Sequence, residues 1–150
     1  MPFIGEMLYE AGFPPDAVRP PLPVALAEPP LAFFIEGWGR PGDTAVIAVE
    51  GGRAVGAAWY RLFDDAATRP LEVRDSETPE VVIAVVPDRR GQGIGGSLLE
   101  ALKARARADG FAALSLGVAE ANPAMRLYEL HGFVGVETGR KRWRMRCDLA

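Results

Sequence analysis

The chain has 150 residues, 49% of them apolar and 25% charged. This is the usage of an ordinary globular chain rather than of a disordered, collagenous or coiled-coil one, with room for one domain over 1–150. One cysteine (Cys147), one histidine (His131) and a net charge of −3 speak against a disulfide framework, a cysteine- or histidine-based metal site and a dedicated nucleic-acid binder. No apolar run reaches the roughly 18 residues of a membrane span. The N-terminus lacks the pattern of a secretory signal, so the expectation is a soluble cytoplasmic domain with neither a membrane nor a nucleic-acid partner.

Nine of the 13 prolines precede residue 42. The stretch from Pro14 to Pro23 cannot be regular helix or sheet, since proline fixes φ and lacks a donor. It reads as a loop between short helices near 3–11 and near 24–37, the first running into a glycine stop at Gly12. Thr44–Val49 and Ala54–Phe63 read as a hairpin around Glu50-Gly51-Gly52-Arg53, which supplies the positive-φ residues of a tight turn. Residues 64–79 form a polar loop. With Glu80 they carry six acids against Arg69 and Arg74, a solvated loop before it is an attractor of cationic amines.

Val81–Val86 is a continuous apolar run suited to a strand buried on both faces, and Pro87 ends it. A helix follows from about Ile94 to Asp109. Ile94, Leu98, Leu102 and Ala106 lie on one stripe, Lys103, Arg105 and Arg107 lie off it, and Gly110 is the stop. Ala112–Val118 is the next strand, so a βαβ unit with two parallel strands is expected. A short helix from Pro123 to His131 has proline in its first turn. Phe133–Val136 and Arg142–Leu149 close the chain as a hairpin. In its second strand Arg142, Arg144 and Arg146 share one face and Trp143, Met145 and Cys147 the other.

The informative segment is Pro87-Asp88-Arg89-Arg90-Gly91-Gln92-Gly93-Ile94-Gly95-Gly96-Ser97, where a buried strand ends and a helix begins. Free N–H groups and the helix dipole meet there, glycines let an anion approach the backbone, and two arginines add charge. The physics points to a phosphate or pyrophosphate. The bland reading is a turn that needs only positive φ. No lysine completes a P-loop. Gly91, Gly93 and Gly96 with Glu120 fit the dinucleotide fingerprint on paper. However, some 80 residues precede the unit and only about 30 follow it, so two mononucleotide-binding halves do not fit.

Arg90-Gly91-Gln92-Gly93-Ile94-Gly95, followed by a helix with paired leucines, and Asn122-Pro123-Ala124-Met125-Arg126-Leu127-Tyr128-Glu129-Leu130-His131-Gly132-Phe133 downstream resemble the two motifs of the GNAT family of N-acetyltransferases. The resemblance is strongest from about residue 43 to 137. It implies an α+β fold, a mixed central sheet flanked by helices, and acetyl-CoA as co-substrate. It further implies transfer of the acetyl group to a primary amine of a small molecule or peptide. Such domains begin with a strand, whereas this sequence is helix-like from its first residues, so either that strand is absent or the chain begins late. Its lack should leave a sheet edge exposed, which invites a partner chain, with a homodimer as the expectation.

The resemblance also implies site residues. The amides of Gly91, Gln92, Gly93, Ile94, Gly95, Gly96 and Ser97 hold the pyrophosphate, with Arg90 alongside. The parallel strands splay, and Val85 and Val86 meet the pantetheine arm through their main chains. Asn122 lies beside that arm, unless it only caps the helix before Pro123. Tyr128 protonates the leaving thiolate, unless it only packs its helix on the sheet. Glu80, or else Glu120, is the candidate base for the amine, against the reading of a solvated strand end. His131 is a helix-end residue and Cys147 a small buried group. A non-catalytic acyl-CoA sensor on the same fold and a dinucleotide-binding module are the alternatives.

Overall fold

The computed structural model describes residues 2–12, 20–27, 31–63, 77–139 and 142–149. In chain order come helices α1 (Pro2–Gly12) and α2 (Leu22–Ala27), a 3-10 turn (Leu31–Phe34), and strands β1 (Thr44–Glu50), β2 (Arg53–Arg61) and β3 (Glu80–Val85). A second 3-10 turn (Pro87–Arg89), helix α3 (Ile94–Ala108), strand β4 (Ala113–Ala119), helix α4 (Ala124–Leu130) and strands β5 (Val134–Gly139) and β6 (Arg142–Asp148) follow. The strands form a six-stranded sheet in the order β1-β2-β3-β4-β6-β5. Only the central pair, β3 and β4, is parallel; the other neighbours are antiparallel. This is the expected mixed sheet, and it removes the dinucleotide-binding alternative, which needs a mostly parallel, doubly wound one.

The local causes are those the sequence carries. Gly51 and Gly52 both have positive φ, as a two-residue hairpin turn between β1 and β2 requires. The apolar run of β3 is flanked by β2 and β4, with helix on both faces. One face, with Ala58, Tyr60, Val81, Leu114, Leu116 and Val118, packs under Leu98, Leu99, Leu102 and Ala106 of α3. The opposite face, with Ala57, Trp59 and Ala84, packs on Ile4, Met7 and Leu8 of α1. Each such large side chain removed from water contributes on the order of 1.5–3 kcal/mol. In β6, Met145 and Cys147 are buried while Arg142 is exposed, the alternation expected of that strand. Among the described residues no strand precedes α1, and β1 is an edge of the sheet. No described helix is long and apolar enough to cross a membrane.

Two expectations change, and one falls largely beyond what the structure describes. The helix expected near 24–37 is α2 followed, beyond Glu28-Pro29-Pro30, by a 3-10 turn; a proline pair cannot sit inside a continuous helix. The loop at 14–23 and the acidic segment at 64–79 lie largely outside the described residues. Lys103, read as off the buried stripe, is buried. Its stem runs along the core and its Nζ donates to the His131 carbonyl at 2.8 Å, the amphipathic use of lysine.

Arg61, at the end of β2, is wholly buried and donates through Nε and Nη2 to both Asp43 oxygens at 2.9 and 2.8 Å. It also donates through Nη1 to the carbonyls of Phe33 and Glu36 at 3.0 and 2.6 Å. The Trp38 ring lies 5.4 Å from its guanidinium carbon. The segment leading into the sheet is thus fastened to the start of β3, because Arg61 is the partner of Glu80 in the β2–β3 register.

At Gly56 of β2, Leu98 of α3 packs tightly on the sheet. A Cβ there would meet Leu98 Cδ1 at 3.1 Å, the Ala84 carbonyl oxygen at 3.2 Å and Val85 Cγ2 at 3.3 Å. Gly56→Val should therefore destabilise the fold by about 1–3 kcal/mol through overpacking, read as a lowered urea midpoint at unchanged slope.

Candidate cofactor cleft and active site

The parallel pair meets at one register position, Glu80 opposite Ser115, with the Ser115 N–H donating to the Pro79 carbonyl at 3.0 Å. Beyond that point the strands are not paired. Each still has one satisfied edge: β3 pairs with β2 from Glu80 to Val85, and β4 pairs with β6 from Ala113 to Ala119. The result is a wedge that opens toward Val85 and Ala119, with unpaired main-chain groups on both walls. Buried main-chain groups need partners, so the wedge is built for an extended polar ligand.

The register shows which groups face it. The Val86 N–H donates to the Val55 carbonyl at 2.9 Å, one step beyond the Gly56–Val85 pair. Val85 is thus at a non-hydrogen-bonded position of the β2–β3 ladder, and its own N–H and C=O point into the wedge. Val86, expected to meet the cofactor through its main chain, does not fit that part. Its N–H is taken by Val55 and its carbonyl accepts from the Arg89 N–H at 3.0 Å.

The glycine loop closes the wide end. Gly91 and Gly93 have φ of 76° and 84°, and no atom lies within 4 Å of where their Cβ atoms would be. These glycines are needed for backbone conformation, and the space above them is open. Gly93 precedes α3, and no side chain caps that helix. The first bond of the helix runs from the Ser97 N–H to the Gly93 carbonyl at 3.2 Å, and the first N–H groups of a helix have no internal partner. Gln92 and Ser97 are exposed and Ile94 half-buried on this turn.

Gly95 and Gly96 have a second reason to be small. A Cβ on Gly95 would meet Leu127 Cδ2 at 3.1 Å, and one on Gly96 would meet His131 Nε2 at 2.7 Å. They let α4 lie against the first turns of α3. His131 Nδ1 in turn lies 2.6 Å from Glu100 Oε2, and that bond holds the Glu100 carboxyl below the usual range. His131 thus fastens α4 to α3.

The charges around the loop are mostly tied. Arg53 of β2 grips both Asp88 oxygens at 2.9 and 3.1 Å, holding that carboxyl below its ordinary range. Arg89 bonds Glu50 at 3.1 Å and Asp88 at 3.3 Å. Arg90 donates through Nε to the Val85 carbonyl at 3.1 Å and through Nη2 to Glu10 of α1 at 3.1 Å.

Tyr128 lies on α4 and belongs to the core over β4, with its ring edge-on to Phe133 at a centroid distance of 6.1 Å. Its hydroxyl has no hydrogen-bond partner among the described residues, and burial pushes its pKa up to about 12. Asn122 accepts the Ala124 N–H on its Oδ1 at 2.9 Å, the capping geometry, which leaves its amide nitrogen for a ligand. Burial pushes the Cys147 thiol up, in keeping with a packing role.

Glu80 is no solvated strand end. It is 2% exposed. Arg144 Nη1 bonds one carboxylate oxygen, Arg144 Nη2 the other at 2.8 Å, and the Ser115 hydroxyl donates to the latter at 2.7 Å. The acid, the arginine and the serine come from β3, β6 and β4, and together they rivet the narrow end of the wedge. The alternation of β6 placed Arg144 on the correct face. Nothing in the sequence pairs it with a carboxylate 64 residues away.

Arg144→Ala leaves the buried Glu80 carboxylate without its arginine, and the expected loss is about 3–5 kcal/mol. Replacing Glu80 by Leu and Arg144 by Met together should recover most of it. Chemical denaturation of both variants checks the pair.

The sequence model of the Acetyltransferase (GNAT) family matches residues 10–133, reaching into α1 and so further back than the motifs alone. No curated protein matches the chain. Among solved structures, an N-acetyltransferase from Staphylococcus aureus Mu50 superposes with a TM-score of 0.71 at 23% identity, over 98% of this chain and 91% of that one. The putative acetyltransferase yncA from Salmonella typhimurium, solved with its cofactor acetyl-CoA, gives 0.66 at 24% identity over 99% and 88%. The GNAT domain of S. lividans PAT gives 0.62 at 23% identity, and there this chain, matched over 71% of its own length, spans 61% of that structure. With 10–133 matched by the family's own pattern and the splayed parallel pair at its centre, the chain belongs to the GNAT acetyltransferase family.

Proposed function

We propose that the protein is an N-acetyltransferase that takes acetyl-CoA as co-substrate and acetylates a primary amine of a small molecule or peptide by direct attack. The observation that carries this reading is the wedge itself: two strands joined at one residue pair, with a glycine loop and an uncapped helix start at the wide end. A Salmonella relative of the same fold was solved with acetyl-CoA. Acetyl-CoA supplies the activated acetyl thioester.

This chain's residues supply the rest. Gly91, Gln92, Gly93, Ile94, Gly95 and Gly96 present main-chain N–H groups to the pyrophosphate, and the dipole of α3 favours its charge; the Ser97 N–H, expected among them, is taken by the Gly93 carbonyl, which leaves Ser97 its exposed hydroxyl. Val85 offers its N–H and C=O to the amide arm, and Asn122 its amide nitrogen. Tyr128 keeps its proton across the neutral range and holds it for the departing sulfur. The role of Glu80 is to fix the narrow end of the wedge, since both oxygens are bound to Arg144 and Ser115. Glu120, exposed just past β4, is the carboxylate open to an incoming amine.

The engagement of Glu80 also favours a second reading, an acyl-CoA sensor that binds without turnover. Release of free CoA across a panel of amines separates the two: turnover with any amine well above water hydrolysis supports the enzyme, and tight acetyl-CoA binding with none supports the sensor.

Gly93→Ala carries only the backbone strain of a positive φ, whereas Gly93→Asp adds a negative charge where the pyrophosphate belongs. Acetyl-CoA affinity measured by calorimetry should fall at least tenfold for the aspartate variant, about 1.4 kcal/mol, and clearly less for alanine. Equal losses in the two would refute an anion site at this loop.

Tyr128→Phe removes a hydroxyl that has no hydrogen-bond partner among the described residues, so stability should change little. A general acid contributes on the order of 10²–10⁴-fold. Both kcat and kcat/KM should therefore drop by similar factors while acetyl-CoA affinity holds. Wild-type kcat in this variant, with single-turnover rates also unchanged, would remove Tyr128 from the chemistry.

A further inference from the structure

We infer that Glu10 is a positioning residue for cofactor binding, tethering Arg90 across the mouth of the β3–β4 wedge so that acetyl-CoA must displace the Arg90 guanidinium from the Val85 carbonyl. The inference rests on the acetyl-CoA reading and adds a residue outside both sequence motifs.

The geometry is specific. Arg90 reaches back from the loop and splits its guanidinium between two acceptors. Nε donates to the Val85 carbonyl and Nη2 to Glu10 Oε2, each at 3.1 Å. The Val85 carbonyl is one of the main-chain groups that the splay turns into the wedge, so Arg90 satisfies in the free protein an acceptor that a bound amide arm would use. Arg89 is held on the other side of the loop by Glu50 and Asp88. Arg90 is therefore the loop arginine whose movement both opens the Val85 carbonyl and delivers a cation to the pyrophosphate.

Glu10 is not placed by the needs of its own helix. It lies in the last turn of α1, where the dipole favours a cation and where no basic residue stands. Its carboxylate side chain is 18% exposed against 39% for Arg90. The more buried partner is thus on the helix and the more exposed one on the loop. Since α1 packs through Ile4, Met7 and Leu8 on the face of the sheet that includes Ala84, the tether links that helix to the filling of the cleft.

The sign of the effect follows. Holding Arg90 in the tethered position lowers the fraction of protein ready to bind, and the apparent affinity falls by that fraction. A partly exposed ion pair holds such a state by a small margin. Glu10→Gln should tighten acetyl-CoA about two- to fivefold in calorimetric titration at low salt, and the gain should shrink as salt is raised. The Arg90→Ala background separates the tether from a simple field effect, because a carboxylate near an anion site would repel the pyrophosphate whether or not Arg90 is present. If the tether operates, Glu10→Gln has no effect in that background. Unchanged or weakened binding by Glu10→Gln alone, or an equal gain with and without Arg90, would overturn the inference. Failure of the unsubstituted protein to bind acetyl-CoA would take down the cofactor reading and this inference with it. Binding without a response at Glu10 sinks the tether only.

Discussion

A parallel pair that shares one register position is a costly thing to place at the centre of a sheet. Beyond the Glu80–Ser115 pair, the main-chain donors and acceptors that β3 and β4 turn toward each other face a gap instead, and such groups are expensive to leave unmet once shielded from water. The fold tolerates this because each strand is secured on its far side. β2 holds β3 along its whole length, and β6 holds β4 along its own. It also tolerates it because the point of divergence is riveted. Glu80, Ser115 and Arg144 sit at that point, one from each of the three strands that must keep their spacing. A buried ion pair contributes little net stability against an apolar substitute, yet it fixes geometry, because removing either partner strands the other. Here that geometry is the angle of the wedge.

The second constraint is charge. The charged side chains around the glycine loop are paired with one another or with neighbouring elements: Asp88 with Arg53, Arg89 with Glu50 and Asp88, Arg90 with Glu10. The pairs are exposed or partly exposed and individually weak. Their effect is to tie the loop to the β1–β2 hairpin on one side and to α1 on the other. The uncommitted attraction for an anion is then main-chain: an uncapped helix start reached over glycines whose positive φ leaves open space above them.

What the sequence made legible follows from range. The turn at Gly51-Gly52, the stop at Pro87, the stripe of α3 and the alternation of β6 are local, and a residue within four positions decides each. The glycine loop is local too, so its chemistry could be read. The Glu80–Arg144 pair, the Arg61 cage and the Arg90–Glu10 tether join residues 18 to 80 positions apart, and nothing local marks one acid or one arginine as the partner of another. Glu80 shows the difference best. In sequence it is an acid at the mouth of a buried strand; in the fold it is a buried rivet. Val86 fails for a subtler reason. Strand parity decides which main chains face a cleft, and parity depends on a register with β2 that composition does not fix.

The same burial that isolates Tyr128 bears on how it can act. Against solvent its phenol is held near 12, and a free thiol lies near 8.5, so a proton passed between those two values would climb roughly 5 kcal/mol. That comparison mixes environments. The shift on Tyr128 comes from desolvation alone, and desolvation disfavours any anion in the same place. A sulfur leaving beside Tyr128, within the apolar core to which that ring belongs, would carry its charge in the same setting. Proton transfer would then move a negative charge a short distance, and the desolvation cost, common to both ends, would largely cancel. What does not cancel is the difference between phenol and thiol in water, about two kcal/mol, small enough for a positioned acid to act. An unpartnered hydroxyl is an asset here. With no protein acceptor to satisfy, Tyr128 has its donor free for whatever anion forms beside it, and a neighbouring carboxylate, which would raise the phenol further and leave the sulfur untouched, is absent from its surroundings among the described residues.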